Sequence, residues 1–238
     1  MSNSGPVTIL RAGSEEIEPN HWVVFIFDLL GCSSSGRAEQ DALAQAPLRV
    51  REYFQWLARK DGNPAPFDEP VEITVIEQVR MRSLPGKPES QLHGFFEYDR
   101  RPLRLWDIDM IQRLLEWNRE DLLAVVASAS PGRMEQPVEG LVWKTPRGLL
   151  EHIYGAEQWL LGHLGFALER EELPRGTMER LQAIRARTLQ IIPELAEVDQ
   201  VRDIDGELWS PRKMVRRILW HERDHTRQLE ELLAVKTL

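Results

Sequence analysis

WSPRKMVRRILWHERDH, residues 209–225, opens with a hydroxyl residue followed by proline and then repeats its apolar side chains at helical spacing. Ser210 can accept a hydrogen bond from the first turn, and Pro211 arrives with its φ already set for a helix. At 100° per residue, Met214, Val215, Ile218, Leu229, Leu232 and Leu233 form one buried stripe. His221 and His225 fall on its flank and centre, four apart, which stacks the two imidazoles one turn above the other. Glu222 falls inside the stripe as well, whereas Arg223 and Asp224 point outward. An inward carboxylate needs a partner, which a metal, a ligand histidine or a metal-bound water would supply.

The same opening chemistry recurs at Trp143-Lys144-Thr145-Pro146. The helix it starts carries Leu149, Ile153, Ala156, Leu160 and Leu164 towards the core, with His152 and His163 along one edge. These histidines are eleven residues apart, about 16 Å along a helix axis, so one site can use only one of them. His152 is nearer the capped end. A further helix is expected from about Thr177 to Val198 with Pro193 near its end, and another, capped by Asp107, carries Ile108, Ile111, Leu115, Leu122 and Val125. Residues 105–238 therefore read as an all-α up-down four-helix bundle.

The first part of the chain has a different period. Val7 to Leu10, Trp22 to Phe27 and the alternating Val71 to Ile76 read as strands. A helical stretch from Glu39 to Lys60 lies between the last two, closed by Asp61-Gly62-Asn63-Pro64. Residues 1–90 thus form a small α+β domain. Periodicity fades through Leu84-Pro85-Gly86-Lys87-Pro88, and residues 91–104 read as a linker with one more short strand at Leu92 to Tyr98.

A chain of 238 residues suffices for two such domains. A net charge of -8 and a pI near 5.4 lack the basic surface that nucleic acid requires. The basic run Arg212-Lys213 with Arg216-Arg217 falls opposite the core stripe and reads as a solvated face. The longest apolar run, Trp22 to Phe27, is far short of the roughly 20 residues that span a bilayer, so no membrane partner is expected. The single cysteine, Cys32, and an N-terminus without signal-peptide character point to the cytoplasm. Homodimerisation would need only an apolar edge on either domain.

One inward histidine is ordinarily a core residue hydrogen-bonded to a carbonyl or hydroxyl. Three on two helices, with an i,i+4 pair among them, favour a metal site of His152, His221 and His225. His163 remains the alternative to His152 or an additional ligand. His221-Glu222-Arg223-Asp224-His225 also matches H-E-x-x-H literally, where the glutamate is a general base. The protease reading is disfavoured, because the thirteen residues after His225 hold no histidine for a third ligand and both intervening residues are charged. Three neutral imidazoles leave coordination positions open for water or substrate, and they do not choose among nickel, zinc, manganese and iron. Glu222 is then the candidate catalytic base. Tyr154, Trp159 and Trp220 either line a pocket or are plain core.

Trp143-Lys144-Thr145-Pro146 with Leu149-Leu150-Glu151-His152-Ile153, and Trp209-Ser210-Pro211 leading to His221-x3-His225, resemble the DinB-like four-helix metal-binding family over about residues 105–235. The resemblance implies a divalent metal on His152, His221 and His225. It also implies a reaction class, thiol-dependent transfer or isomerisation on a small substrate with a low-molecular-weight thiol. Phe27-Asp28-Leu29-Leu30-Gly31-Cys32-Ser33-Ser34-Ser35-Gly36 resembles the HicB-like antitoxin domain over about residues 7–80, with Leu30 in place of that family's proline. That resemblance implies a partner-binding module. The DNA-binding segment that commonly follows is replaced here by helices, so the unit reads as a binding or oligomerisation module, with Cys32 a buried turn residue. The sequence leaves two functions open: a metal-dependent transferase or hydrolase, and a non-catalytic binding protein whose metal, if bound, is structural.

Overall fold

The computed structural model describes residues 7–62, 69–84, 87–130 and 132–234, without the side chains of 87–90. Asn63-Pro64 and Pro85-Gly86, expected as turn residues, lie outside the described residues. The chain divides into two compact units, Met1–Arg100 with Asp203–Leu208, and Arg101–Arg202 with Trp209–Leu238.

In the first unit, β1 (Thr8–Glu18), β2 (His21–Ile26), β3 (Ser33–Gly36) and β4 (Val71–Val79) form one sheet in the order β3-β2-β1-β4. The β1–β2 and β2–β3 pairs are antiparallel and β1–β4 is parallel. Helix α1 (Glu39–Lys60) carries the chain from β3 to β4 and buries Ala42, Ala46, Val50, Tyr53 and Trp56, a single stripe at helical spacing. Strand β4 alternates half-buried and exposed residues along its whole length, as a strand with one solvated face should.

Strand β1 is longer than its apolar run predicts. It continues through Gly13, where a Cβ would stand 2.4 Å from the Phe27 ring, so only glycine lets the strand pass beneath that aromatic. The turn between β2 and β3 places Gly31 at φ 82, the left-handed conformation that glycine adopts at no steric cost. Cys32 follows it, buried, with its thiol 3.9 Å from the Arg49 carbonyl.

Strands β5 (Arg82–Leu84) and β6 (Lys87–Leu92) make a second, antiparallel pair. The short strand expected at Leu92 to Tyr98 is not formed. The Gly94 N–H instead donates to Glu15 at 2.8 Å, and Glu97–Arg100 is a 3-10 turn whose Glu97 and Tyr98 N–H groups donate to Glu77 at 2.6 and 3.2 Å. Phe96 and Asp99 are fully buried, so this stretch is ordered packing where the sequence reads as a linker.

The second unit holds α2 (Leu105–Ser128), α3 (Pro146–Leu164), α4 (Thr177–Ile191) and α5 (Pro211–Ala234). The expected all-α up-down four-helix bundle over residues 105–238 is corrected: the chain is mixed α+β overall, with five helices among the described residues, of which α1 belongs with the sheet. Between α4 and α5 lie a 3-10 turn, Ile192–Leu195, and a two-stranded hairpin of β7 (Arg202–Ile204) and β8 (Glu207–Trp209). Both departures have local causes. Pro193 has no N–H to continue α4, which ends at Ile191 and not near Val198. Asp205 and Gly206 both take positive φ, 54 and 86, the backbone of the two-residue turn that closes a tight hairpin.

The helix starts follow the sequence at two of three marked places. Gly148 N–H donates to the Thr145 hydroxyl at 3.0 Å and Lys213 N–H to the Ser210 hydroxyl at 3.1 Å. Asp107 is not the cap of α2; it sits three residues inside and accepts from the Arg104 N–H at 3.0 Å. Helix α3 packs against both α4 and α5, and α2 packs against α5, around Leu122, Leu149, Leu150, Ile153, Leu181 and Leu229.

Residues Trp209 to Trp220 are all buried, so the early turns of α5 have no solvated face. The basic run is housed accordingly. Arg212 donates to the carbonyls of Arg101 and Pro102 and to Asp107, at 2.9, 2.7 and 3.0 Å. The Lys213 ammonium stands 4.0 Å above the Trp209 ring and the Arg217 guanidinium 4.9 Å above Trp220, both cation–π contacts. Among the described residues, no helix is long and apolar enough to cross a membrane.

Candidate metal centre

The helix phases bring His152 of α3 together with His221 and His225 of α5. One ring nitrogen from each lies within 4.8 Å of the others, and all three side chains are half-buried. His152 and His221 face each other through their Nε2 atoms at 2.9 Å. Two lone pairs that close repel unless a proton or a cation lies between them. Nitrogens about 2.05 Å from one ion subtend this separation at about 90°. These residues form a cluster that can hold a metal ion, and among the described residues no carboxylate or cysteine joins them.

The surroundings prepare His152 as a neutral ligand. Burial, and secondly the charge on His225, hold the His152 pKa down at about 4, so its lone pair is available at neutral pH. His225 Nδ1 lies 2.9 Å from Gln228 Oε1; an N–H donated there assigns the tautomer whose lone pair is on Nε2. Trp143 covers the site from one side, stacked on His152 at a centroid distance of 4.5 Å and edge-on to His225 at 5.1 Å.

Trp143 is held there by an unusual stretch of backbone. Thr145 N–H donates to the Trp143 carbonyl, two residues back, at 2.8 Å, with Lys144 at φ 65. A three-residue turn of that hand is rare and strained. Leu141 and Val138 pin it from either side through Lys144 N–H and C=O, at 3.0 and 2.8 Å. Gly148 is obligatory beneath it, since a Cβ would lie 2.1 Å from the Trp143 oxygen.

Glu222 does not face the histidines. Its buried carboxylate accepts from Arg119 Nε and Arg185 Nη2, both at 2.6 Å. The same two arginines donate to Glu157, Arg119 at 2.9 Å and Arg185 at 2.8 and 3.1 Å, and Thr188 adds a hydroxyl at 2.6 Å. Each arginine also reaches a main-chain carbonyl, Arg119 that of Leu181 and Arg185 that of Leu115. Burial by itself would raise the Glu157 carboxyl, but the charges of Arg185 and Arg119 and the hydrogen bonds it accepts hold it well below the usual carboxylate range. The expected role of Glu222 as a base at the metal has no geometric support: both its oxygens are engaged in this ion quartet.

His163 is apart from the site. Its Nδ1 bonds the Trp159 carbonyl at 2.8 Å and its ring lies 4.1 Å from that of Trp209. Trp159 packs edge-on against His163, and Trp220 is buried with its ring 6.0 Å from that of His221. Tyr154 packs against the apolar core and bonds Arg180 at 3.3 Å. Sequence reasoning overlooked Trp143 as the wall of the site, because the motif containing it was fully explained as a helix start. It also overlooked Arg119, Glu157 and Arg185. Their signal was present: each is a charged residue on an apolar stripe, Arg119 four after Leu115, Glu157 four after Ile153, Arg185 four after Leu181.

Compared with known proteins, the chain matches no family model, no curated protein and no solved structure.

Proposed function

We propose that the second unit binds one divalent metal ion through His152, His221 and His225 and uses it in a transfer or hydrolysis reaction on a small molecule. The observation that carries this reading is the convergence of three imidazoles from two helices with no carboxylate, cysteine or further histidine in the cluster among the described residues. A structural site closes its coordination sphere with protein, whereas a catalytic one keeps a position for water or substrate. Bound there, a divalent ion supplies Lewis acidity, lowering the pKa of a coordinated water or thiol. His152 is presented as a neutral donor, and Trp143 narrows the approach and keeps bulk water from one side. The likeness of the two W-x-x-P and W-S-P helix starts and the H-x3-H pair to the DinB-like family supports a low-molecular-weight thiol as co-substrate. The lone cysteine suits the reducing cytoplasm where such thiols are found.

The test is bound metal per chain by elemental analysis after repletion with nickel, zinc, manganese or iron. Near-stoichiometric metal is expected in the wild type and in His163→Ala, and loss in His152→Ala and His225→Ala. Metal-loaded protein is then assayed for thiol transfer and for hydrolysis. Absence of metal from the wild type after repletion, or retention by His152→Ala, refutes the site. A bound metal with no exchangeable water, read by proton relaxation of the manganese form, refutes the catalytic reading and leaves a binding protein.

A further inference from the structure

We propose that the buried quartet of Arg119, Glu157, Arg185 and Glu222 is the positioning device of the histidine site: it sets the rotation and axial register of α5 against α3 so that His221 and His152 meet. The inference rests on the metal reading above. Its first support is placement. The quartet takes one charged side chain from each helix of the second unit, Arg119 from α2, Glu157 from α3, Arg185 from α4 and Glu222 from α5. Glu222 is the residue next to His221, and Glu157 lies five residues beyond His152, about 7.5 Å along the axis.

Its second support is geometry. Each guanidinium is a planar fork whose donors are spent in fixed directions, on Glu157, on Glu222 and on a main-chain carbonyl of a facing helix. A slide of α5 by one residue, or a rotation by one position, breaks several of these bonds at once. Apolar packing alone resists such a slide weakly, because leucines at neighbouring positions are interchangeable partners. A buried ion cluster adds little net stability over well-packed apolar side chains, and its best-attested use is to select one register. The site one turn away is the feature of this unit that needs register, since a displacement of about 1 Å spoils coordination.

The experiment uses the full-length chain with Co²⁺ as the probe, in wild type, in Arg119→Met/Glu157→Met, and in the fourfold variant that adds Arg185→Met and Glu222→Leu. Both variants keep charge balance, so the double variant serves if the fourfold one does not fold. The expected result is a cooperative thermal transition at or above that of wild type, with Co²⁺ affinity down about 10–100-fold and altered visible absorption bands. Arg119→Lys/Arg185→Lys, which keeps charge but not the forks, is expected to show the same loss of affinity. Folded variants that bind Co²⁺ with wild-type affinity and spectrum overturn the proposal.

A parallel measurement separates this outcome from failure of the metal reading. Nitroxide labels at Glu151→Cys on α3 and Glu230→Cys on α5, in a Cys32→Ser background, report the distance between the helices by electron–electron double resonance. A broadened or shifted distribution in the fourfold or double variant supports the register role even if wild type binds no Co²⁺. An unchanged distribution overturns it whatever the metal result.

Discussion

Removing the Glu157 carboxylate alone should be far more damaging than removing it together with an arginine. Glu157 is buried and accepts four hydrogen bonds, three from the arginines and one from Thr188, at 2.6–3.1 Å. Glu157→Ala leaves two guanidinium groups sharing only Glu222, an uncompensated buried charge, and leaves the Thr188 hydroxyl with the Ile184 carbonyl at 3.1 Å. Breaking a buried ion pair on one side is worth about 3–5 kcal/mol, and the vacated volume adds to it. Arg119→Met/Glu157→Met removes one positive and one negative charge together and should fall within about 1 kcal/mol of wild type. The assay is urea unfolding of metal-free protein followed by circular dichroism at pH 7.

The pH dependence of that difference follows from the Glu157 shift. Its carboxyl is held below its unfolded value, so its stabilisation is fully present above about pH 4.3, the unfolded value, and is lost as pH falls through the lower folded one. The gap between wild type and Glu157→Ala should therefore be constant from pH 7 to about pH 5 and narrow only below about pH 4. A single variant within about 1 kcal/mol of wild type, or a gap already closing at pH 6, would refute the reasoning, because either outcome means that water reaches the cluster.

Three further outcomes are expected. Gly148→Ala forces a Cβ to within 2.1 Å of the Trp143 oxygen, a backbone atom that cannot swing aside; a loss of about 1–3 kcal/mol in chemical unfolding is expected, with a changed Trp143 environment in a ¹⁹F spectrum of fluorotryptophan-labelled protein. Thr145→Ala removes the side-chain acceptor at the start of α3 and should lower stability by about 1 kcal/mol, whereas Thr145→Ser should hold it. For metal-free protein, His152 is held below its unfolded pKa, so the unfolded chain binds the extra proton and stability falls as pH drops from about 6.5 towards 4. Discounted for the partial exposure of the ring, the loss amounts to about 1–2 kcal/mol, and the slope should be absent in His152→Gln when unfolding midpoints are compared at pH 7 and pH 4.5.

The histidine site was legible because each part of it is a local pattern. The starts of α3 and α5 are encoded by a hydroxyl followed by proline, and from those starts the 100° step assigns His152, His221 and His225 to inward faces. Long-range choices were less legible. Nothing in the two-period reading of residues 105–238 distinguishes a plain loop from the hairpin at Arg202–Trp209, except the Asp205-Gly206 pair, whose positive φ angles are the hairpin signal. The burial of Arg212, Lys213, Arg216 and Arg217 lies further out of reach. Helical periodicity assumes that each helix has a wet side, and the first turns of α5 have none.

Glu222 shows how a correct local inference can still choose the wrong partner. The periodicity places its carboxylate inward, and it is 2 % exposed; the need for a counter-charge follows from burial alone. The literal H-E-x-x-H pattern then points to the adjacent histidines. Around an α-helix, however, His225 lies only about 40° from His221, while Glu222 lies about 100° from it. Helix α5 thus has two inward directions, one towards α3's histidine and the other towards the arginines of α2 and α4. Which of them holds the counter-charge depends on Arg119 and Arg185, 103 and 37 residues away. Each of those arginines is itself an inward charge on an apolar stripe. Four such residues of balanced sign, one on each helix of the second unit, form a pairing problem that no single helix's pattern can solve: charges that would be prohibitive singly are permissible only together, and their common meeting point fixes how the helices align.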